Sequence, residues 1–235
     1  MVGMADEQHQ NDSDGEGGGI PDQTDQEGGI IFVLEKASLE AAKVGKTYQI
    51  LNCDDHANFL RKHKRDPALY RPDILHQALL AILDSPLNKA GRLKGLYVKT
   101  DKNVLIQVNP HIRIPRTFRR FCGLMVQLLQ KLSIRATNGP DKLLRVVKQP
   151  VTRYLPLGAR RVGMSFSAPK VVQLKEYVAA SASKHSLVFV VGAMAHGKIE
   201  VDYLDDFVAV SEYPLSAACC IGRICNALES HWGIL

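Results

Sequence analysis

Residues 186–199 read SLVFVVGAMAHGKI, and this stretch joins the most apolar run of the chain to a loop bounded by two glycines. The run from Ser186 to Val191 is short, apolar and uninterrupted, which is typical of a buried strand. The loop from Gly192 to Ile199 follows it directly. Ligands of open α/β sheets bind at the carboxyl ends of the strands, so this loop is the first candidate binding segment.

Strands and helices alternate along the rest of the chain. Further strands are predicted at 30–34, 96–99, 104–108, 143–147, 161–166 and 207–210. Helices are predicted at 38–43, 54–63, 71–83, 116–132, 171–180 and 214–231. This alternation predicts an α/β fold with a largely parallel sheet, built as one domain over residues 30–235.

Charge is distributed very unevenly over the 235 residues. Residues 1–29 hold eight acids, seven glycines and no Lys or Arg, so they are predicted to form a disordered acidic tail. Residues 61–175 hold 24 Lys and Arg against five Asp and Glu. Such a basic region favours a polyanionic partner, RNA or DNA, although charge alone leaves a merely solvated face equally open.

Several classes of protein are disfavoured by composition. The longest apolar stretch, 187–195, is about half of the ~20 residues that a membrane helix needs, so we expect no membrane span. No secretory signal is recognisable at the amino terminus. Five cysteines without regular spacing indicate reduced thiols in an intracellular compartment rather than a disulfide framework. Cys53, His56 and His63 lack a second ligand pair at zinc spacing, so no metal site is predicted.

The glycine-bounded loop resembles a phosphate-binding P-loop but departs from it. Gly192 and Gly197-Lys198 have the right spacing, yet Ile199 stands where Ser or Thr would bind magnesium. An acidic segment, 200–206, follows instead of a helix, which disfavours a nucleotide hydrolase. The two glycines indicate either a close approach to a ligand or a tight turn without one.

A second loop, 210–216, connects the next predicted strand to the last helix. Pro214 suits the first position of that helix, whose exposed N–H groups favour polar ligand atoms. If both loops lie at the carboxyl ends of neighbouring strands, they form one crevice.

Arginines concentrate before and within the helix predicted at 116–132. Arg116 and Arg120 are expected to share a face of that helix, and Arg113 precedes them. Arg71 stands before another helix, with Asp73 close enough to orient its guanidinium. Guanidinium groups suit phosphate oxygens, while solvated surface arginines remain the alternative.

Seven segments, in this order, resemble one known family. They are 71–74 (RPDI), 83–91 (LDSPLNKAG), 106–110 (IQVNP), 113–118 (RIPRTF), 123–129 (GLMVQLL), 191–198 (VGAMAHGK) and 213–217 (YPLSA). Together they resemble the ribosome-biogenesis enzymes that methylate nitrogen 1 of a pseudouridine in small-subunit (18S-type) ribosomal RNA. The resemblance runs from about residue 30 to 235.

The resemblance implies a SPOUT-class fold: a mostly parallel sheet flanked by helices, with a deep trefoil knot at the carboxyl end. It also implies S-adenosyl-L-methionine as the methyl donor and a homodimeric assembly. Pre-ribosomal assembly factors are the implied partners, and the nucleolus, within the nucleus, is the implied localisation. The implied cofactor residues are Met164, Gly192, Gly197, Val210, Ser211, Glu212, Tyr213, Pro214 and Leu215. The implied RNA-binding residues are Arg71, Arg113, Arg116 and Arg120, with Asp73 holding Arg71. Glu212 stands where other members often have Asn, so its contact is expected through the main chain.

Asp84 matches a family acid near the target base and is the predicted catalytic residue. It would accept or orient the proton that the ring nitrogen loses. A helix-end cap before Ser85-Pro86 is the equally weighted alternative. For the whole chain, the alternative function is a non-catalytic ribosome-assembly factor or RNA chaperone.

Overall fold

The computed structural model of the protein describes residues 29–137, 139–182 and 186–235. The predicted acidic tail lies outside these residues except for Gly29. Gly29 is buried, and its carbonyl accepts a hydrogen bond from the Leu187 amide at 3.3 Å. The packed chain therefore includes one residue that the sequence pattern assigned to the tail.

Ten strands lie in the described residues. They are β1 (Ile30–Ala37), β2 (Ala41–Val44), β3 (Thr47–Ile50), β4 (Leu93–Thr100), β5 (Leu105–Val108), β6 (Ser133–Arg135), β7 (Lys142–Val147), β8 (Arg160–Met164), β9 (Leu187–Gly192) and β10 (Asp206–Val208). Eight of these form one sheet in the order β10-β8-β9-β1-β4-β5-β7-β6. The strands from β10 to β4 are parallel, and β5, β7 and β6 continue the sheet antiparallel.

Six α-helices accompany the sheet within the same described ranges. They are α1 (Ala57–Lys62), α2 (Pro72–Leu83), α3 (Pro86–Lys89), α4 (Phe118–Lys131), α5 (Leu174–Ala182) and α6 (Ala217–Trp232). Short 3-10 helices occupy Pro67–Leu69 and Val151–Tyr154. The predicted α/β class with a mostly parallel sheet is confirmed. None of the described helices is both long and apolar enough to cross a membrane.

The central strands are buried on both faces, which explains their uninterrupted apolar sequences. In β1, Phe32 and Leu34 face the core formed with the helices. Ile31 and Val33 face the opposite side of the sheet, where they belong to one apolar cluster with Ile199. The main core therefore lies between the sheet and the helices, and a second core lies beneath the segments around 151–155 and 199–207.

The predicted helix at 38–43 is wrong. Ala41–Val44 instead pairs with Thr47–Ile50 as an antiparallel hairpin. Gly45 occupies the turn with φ +64°, a conformation that glycine adopts readily and that tight hairpins require. The turn chemistry overrides the weak helical pattern of the residues before it. The short α3 and the edge strand β6 had no corresponding prediction.

Four helices (α1, α4, α5 and α6) begin two or three residues later than predicted, and in α4 and α6 the shift moves candidate site residues out of the helix. α4 begins at Phe118, so Arg116 lies in the preceding loop and shares no helical face with Arg120. α6 begins at Ala217, because the Ser216 hydroxyl accepts a hydrogen bond from the Cys219 amide at 3.2 Å and caps the helix. Pro214 is therefore part of the loop and not the first helical residue.

Candidate functional site

A cavity of about 540 Å³ opens at the carboxyl ends of the parallel strands. Met164 ends β8 and Gly192 ends β9, and both line the cavity. This size is usual for small-molecule sites, and the position is where open α/β sheets bind ligands. The two predicted loops do form one crevice.

Eight of the nine predicted cofactor residues line this cavity. They are Met164, Gly192, Gly197, Val210, Ser211, Tyr213, Pro214 and Leu215. Glu212 is exposed and is absent from the cavity wall, although both of its neighbours belong to it. Its carboxylate therefore contributes nothing to the lining.

The backbone of the glycine-bounded loop depends on Gly197. Gly197 has φ +117°, which side-chain-bearing L residues rarely adopt. A Cβ at Gly192 would lie 3.0 Å from the Met194 methyl carbon. Ile199 is buried, and the chain continues without a helix, so the phosphate cradle of a P-loop is not formed here.

The second loop lines the cavity from Val210 to Leu215, with the exception of Glu212. Ser211 Oγ accepts a hydrogen bond from the Tyr213 amide at 3.0 Å, which folds the loop back on itself. Ser216, Ala217 and Ala218 extend the lining into the first turn of α6. Backbone N–H groups in a first helical turn lack partners within the helix and suit polar ligand atoms.

Arg71 and Asp73 belong to the same cavity, which joins the predicted RNA-binding and cofactor residues in one place. Arg71 Nε and Nη2 donate to the two Asp73 carboxylate oxygens at 2.8 and 2.7 Å. This two-pronged contact lowers the pKa of the Asp73 carboxyl below its ordinary value of 3.8. Asp73 thus holds the guanidinium at the cavity edge, as predicted from their spacing.

The other predicted arginines lie outside this cavity on the exposed surface. In the segment before α4, Arg113 is exposed between the buried Ile112 and Ile114. His76 of α2 donates from Nε2 to the Pro115 carbonyl at 2.7 Å, since the carbonyl can only accept. Asp84 contacts Arg116 at 3.2 Å. The arginine segment is therefore fastened to α2.

Asp84 lies at the end of α2 that is remote from the cavity. It comes seven residues after Gln77, the last residue of α2 that lines the cavity, which corresponds to about 10 Å of helix. Its carboxylate pairs with Lys89 at 2.9 Å as well as with Arg116. These cations, Lys89 first, lower the pKa of the Asp84 carboxyl. The structure brings Asp84 together with Arg116 and does not bring it to the cavity.

Several lining residues were missed from the sequence. Phe166 lies just beyond β8, is 57% exposed and lines the cavity. Gln77 and Ile74 line the cavity from the first turns of α2. Phe166 was predicted as the last residue of a strand at 161–166, whereas β8 ends at Met164, and no sequence signal marked it as a lining residue. No group of three potential metal-ligating side chains occurs in the described ranges.

Comparison with known proteins identifies relatives of the whole domain. The profile of the EMG1/NEP1 methyltransferase family matches residues 32–229. The human ribosomal RNA small subunit methyltransferase NEP1 is 56% identical over 206 residues, covering 88% of this chain and 83% of the human protein. Its Caenorhabditis elegans counterpart, nep-1, is 55% identical over 206 residues and covers 88% of each chain.

A solved structure agrees with the fold. The crystal structure of Archaeoglobus fulgidus Nep1 bound to S-adenosylhomocysteine superposes with a TM-score of 0.65, at 23% identity, over 87% of this chain and 99% of the archaeal one. From the family match and the high identity to the animal proteins, the chain belongs to the EMG1/NEP1 methyltransferase family.

Proposed function

We propose that the protein transfers a methyl group from S-adenosylmethionine to ring nitrogen 1 of a pseudouridine in small-subunit ribosomal RNA and thereby serves biogenesis of the 40S subunit. The observation that carries this proposal is the Arg71–Asp73 pair inside the loop-lined cavity. It places an anion-binding guanidinium directly beside the candidate donor site. The names of the human and nematode relatives support methylation of small-subunit ribosomal RNA, and the ligand of the archaeal structure supports the donor.

The cavity fits the donor in size and in chemistry. Bound S-adenosylmethionine would supply an electrophilic methyl group on a sulfonium sulfur. The two loops would hold it by main-chain groups around Ser211–Leu215 and by close backbone approach at Gly192 and Gly197. Met164 and Ile199 provide apolar walls. A loop without a phosphate cradle is consistent with a ligand that carries no phosphate.

The exposed arginines would hold the RNA. Arg113, Arg116 and Arg120 present guanidinium groups to solvent, where phosphate oxygens can reach them. Sequence-specific RNA recognition favours unstacked loop bases, so a hairpin loop with the target base turned out is the expected substrate. Alignment of the base with the methyl group is then the main catalytic contribution of the protein.

The ring nitrogen loses its proton as the new bond to carbon forms, and Asp84 remains the candidate to accept or orient that proton. Its lowered pKa makes it a weak base and favours the orienting role through Arg116. Because about 10 Å of helix separates it from Gln77, the last residue of α2 that lines the cavity, we expect a second copy of the chain to bring it to the base. We therefore expect Asp84→Asn to slow single-turnover methyl transfer without changing donor affinity. An unchanged rate would remove Asp84 from the mechanism.

The remaining parts of the proposal follow from the family resemblance. We expect a homodimer, contact with pre-ribosomal assembly factors, a nucleolar location and a trefoil knot at the carboxyl end. Light scattering coupled to gel filtration measures the oligomeric state directly. Fluorescent tagging in cells measures the location.

The decisive test compares two RNA hairpins that differ at one base. Calorimetry first measures binding of S-adenosylmethionine, and labelled-methyl incorporation then compares a pseudouridine hairpin with its uridine counterpart. Uridine carries the ribose on the matching nitrogen and has no N–H to replace, so only the pseudouridine hairpin should be methylated. Equal labelling of both would refute the pseudouridine assignment. RNA binding without donor binding would favour the non-catalytic assembly factor instead.

A further inference from the structure

Near its carboxyl end, β1 carries a buried carboxylate that the proposed reaction does not use. Glu35 is 2% exposed and pairs in register with Gly192, the first residue of the glycine-bounded loop. A buried carboxylate is costly unless charged or hydrogen-bonding partners compensate it. Its partners therefore indicate what the burial achieves.

Glu35 has two side-chain partners, Tyr203 and Lys99, and one main-chain partner, Ala193. Tyr203 donates its hydroxyl to Oε1 at 2.8 Å, and Lys99 of β4 lies 3.6 Å from Oε2. The Glu35 carbonyl accepts a hydrogen bond from the Ala193 amide at 2.8 Å. The pKa of Tyr203 is raised mainly by burial and, to a lesser extent, by the negative charge of Glu35. The hydroxyl therefore stays protonated at neutral pH and can donate.

The next residue, Lys36, holds the far end of the same loop. Its Nζ donates to the Lys198 carbonyl at 2.8 Å and to Glu200 Oε2 at 3.0 Å. Lys36 has φ +55°, which is uncommon for a residue with a side chain and requires support from its surroundings. The carbonyl contact fixes the backbone, whereas the exposed ion pair adds little.

Two consecutive residues of β1 thus fasten the loop at its beginning, at its end and at the segment that follows. Ala193 marks the beginning and Lys198 the end. Between them, the loop residue Met194 packs against the same apolar cluster that buries Ile199. Loops that are held in their binding conformation before a ligand arrives bind it more tightly, because less ordering remains to be done.

We propose that Glu35, through Tyr203, and Lys36 are positioning residues that preset the loop 192–199 for the methyl donor. This inference rests on the proposed binding of the donor in that cavity. Neither residue lines the cavity, so Lys36 acts through the Lys198 carbonyl, and Glu35 acts through Tyr203 and its own main-chain bond to Ala193, without touching the ligand.

The test removes each fastening separately in the full-length protein. Tyr203→Phe deletes only the hydroxyl that reaches Glu35, and Lys36→Met deletes the ammonium that reaches Lys198. We expect each variant to bind S-adenosylhomocysteine about 5- to 10-fold more weakly by calorimetry. The KM for S-adenosylmethionine should rise by the same factor while kcat stays within twofold.

A matched control is available in the same fold. Tyr177 donates to Asp206 Oδ2 at 2.8 Å, the same chemistry and distance as the Tyr203 contact, but at the amino end of β10. Tyr177→Phe should leave S-adenosylhomocysteine affinity within twofold of the unmodified protein. Glu35→Gln, which keeps an acceptor oxygen for Tyr203, should lose less affinity than Tyr203→Phe.

Hydrogen exchange on the ligand-free protein separates this inference from the proposed function. Amides of residues 193–199 should exchange at least several-fold faster in Tyr203→Phe and Lys36→Met, with no change in α4. Unchanged exchange and unchanged affinity in both variants would overturn the inference, as would an equal loss of RNA-hairpin affinity. If the unmodified protein ignores the donor, the proposed function fails, and faster exchange would still show that the two residues hold the loop.

Discussion

Replacing Gly197 by alanine tests whether the loop backbone is part of the donor site. Gly197 lines the cavity and has φ +117°. A residue with a Cβ held in a sparsely populated backbone region costs about 1–3 kcal/mol. There is room for the methyl group itself, since the nearest atom to an added Cβ is the Met194 sulfur at 3.5 Å. The backbone angle, not a collision, is therefore what the substitution perturbs.

The strained loop can relax in the free protein but must return to its native shape to bind. A cost of about 1–3 kcal/mol then corresponds to roughly 5- to 150-fold weaker binding, at about 1.4 kcal/mol per tenfold. We expect Gly197→Ala to weaken S-adenosylhomocysteine binding within that range, measured by calorimetry at neutral pH. Affinity for the RNA hairpin should be unaffected.

Gly158→Ala is the matched control. Gly158 has φ +77° and open space around it, but it precedes β8 at the amino end of the sheet, opposite the cavity. Its replacement should lower the thermal midpoint of unfolding and leave donor affinity unchanged. Binding by Gly197→Ala within twofold of the unmodified protein would refute the claim that this loop conformation forms the donor site.

The remaining predictions concern the arginines and their supports. Arg116→Ala should weaken RNA-hairpin binding and reduce the slope of log affinity against log salt by about one, and an unaltered slope would place Arg116 off the RNA path. His76→Ala removes the hydrogen bond to the Pro115 carbonyl, so RNA affinity should fall about 3- to 10-fold, comparable to the loss of one hydrogen bond, while calorimetry shows unchanged donor affinity. Asp73→Asn should lower thermal stability at pH 7. Because Arg71 lowers the pKa of Asp73 in the folded protein, the stability from this pair is present above about pH 4 and is lost as the pH falls through the lower folded value. The difference between variant and unmodified protein should therefore shrink below pH 4, and a constant difference down to pH 2 would contradict the assignment.

Local sequence signals located the core elements and most of the candidate site. The uninterrupted apolar run of β9 and the helical spacing in α2 were read correctly because burial and periodicity are properties of neighbouring residues. The contact between Arg71 and Asp73 could also be predicted, because the two residues are only two positions apart in the sequence. The hairpin at β2 and β3 was missed because a single glycine turn outweighed a short helical pattern.

Local sequence signals do not predict where Asp84 lies relative to the cavity. The family resemblance predicts that it lies near the target base, but only the folded structure reveals its distance from the cavity and its pairing with Arg116. The hydrogen bond between Tyr203 and Glu35 could not be predicted from the sequence either, because the two residues are 168 positions apart.

The amino-acid sequence by itself determined the α/β class, the buried strands, the two loops and the basic character of the middle region, because each depends on residue type and short-range spacing. Tertiary structure alone decided which side chains share a cavity, which arginines stand outside it and which residues hold its loop. These depend on strand order and helix packing, which bring together groups that the chain separates by more than a hundred residues.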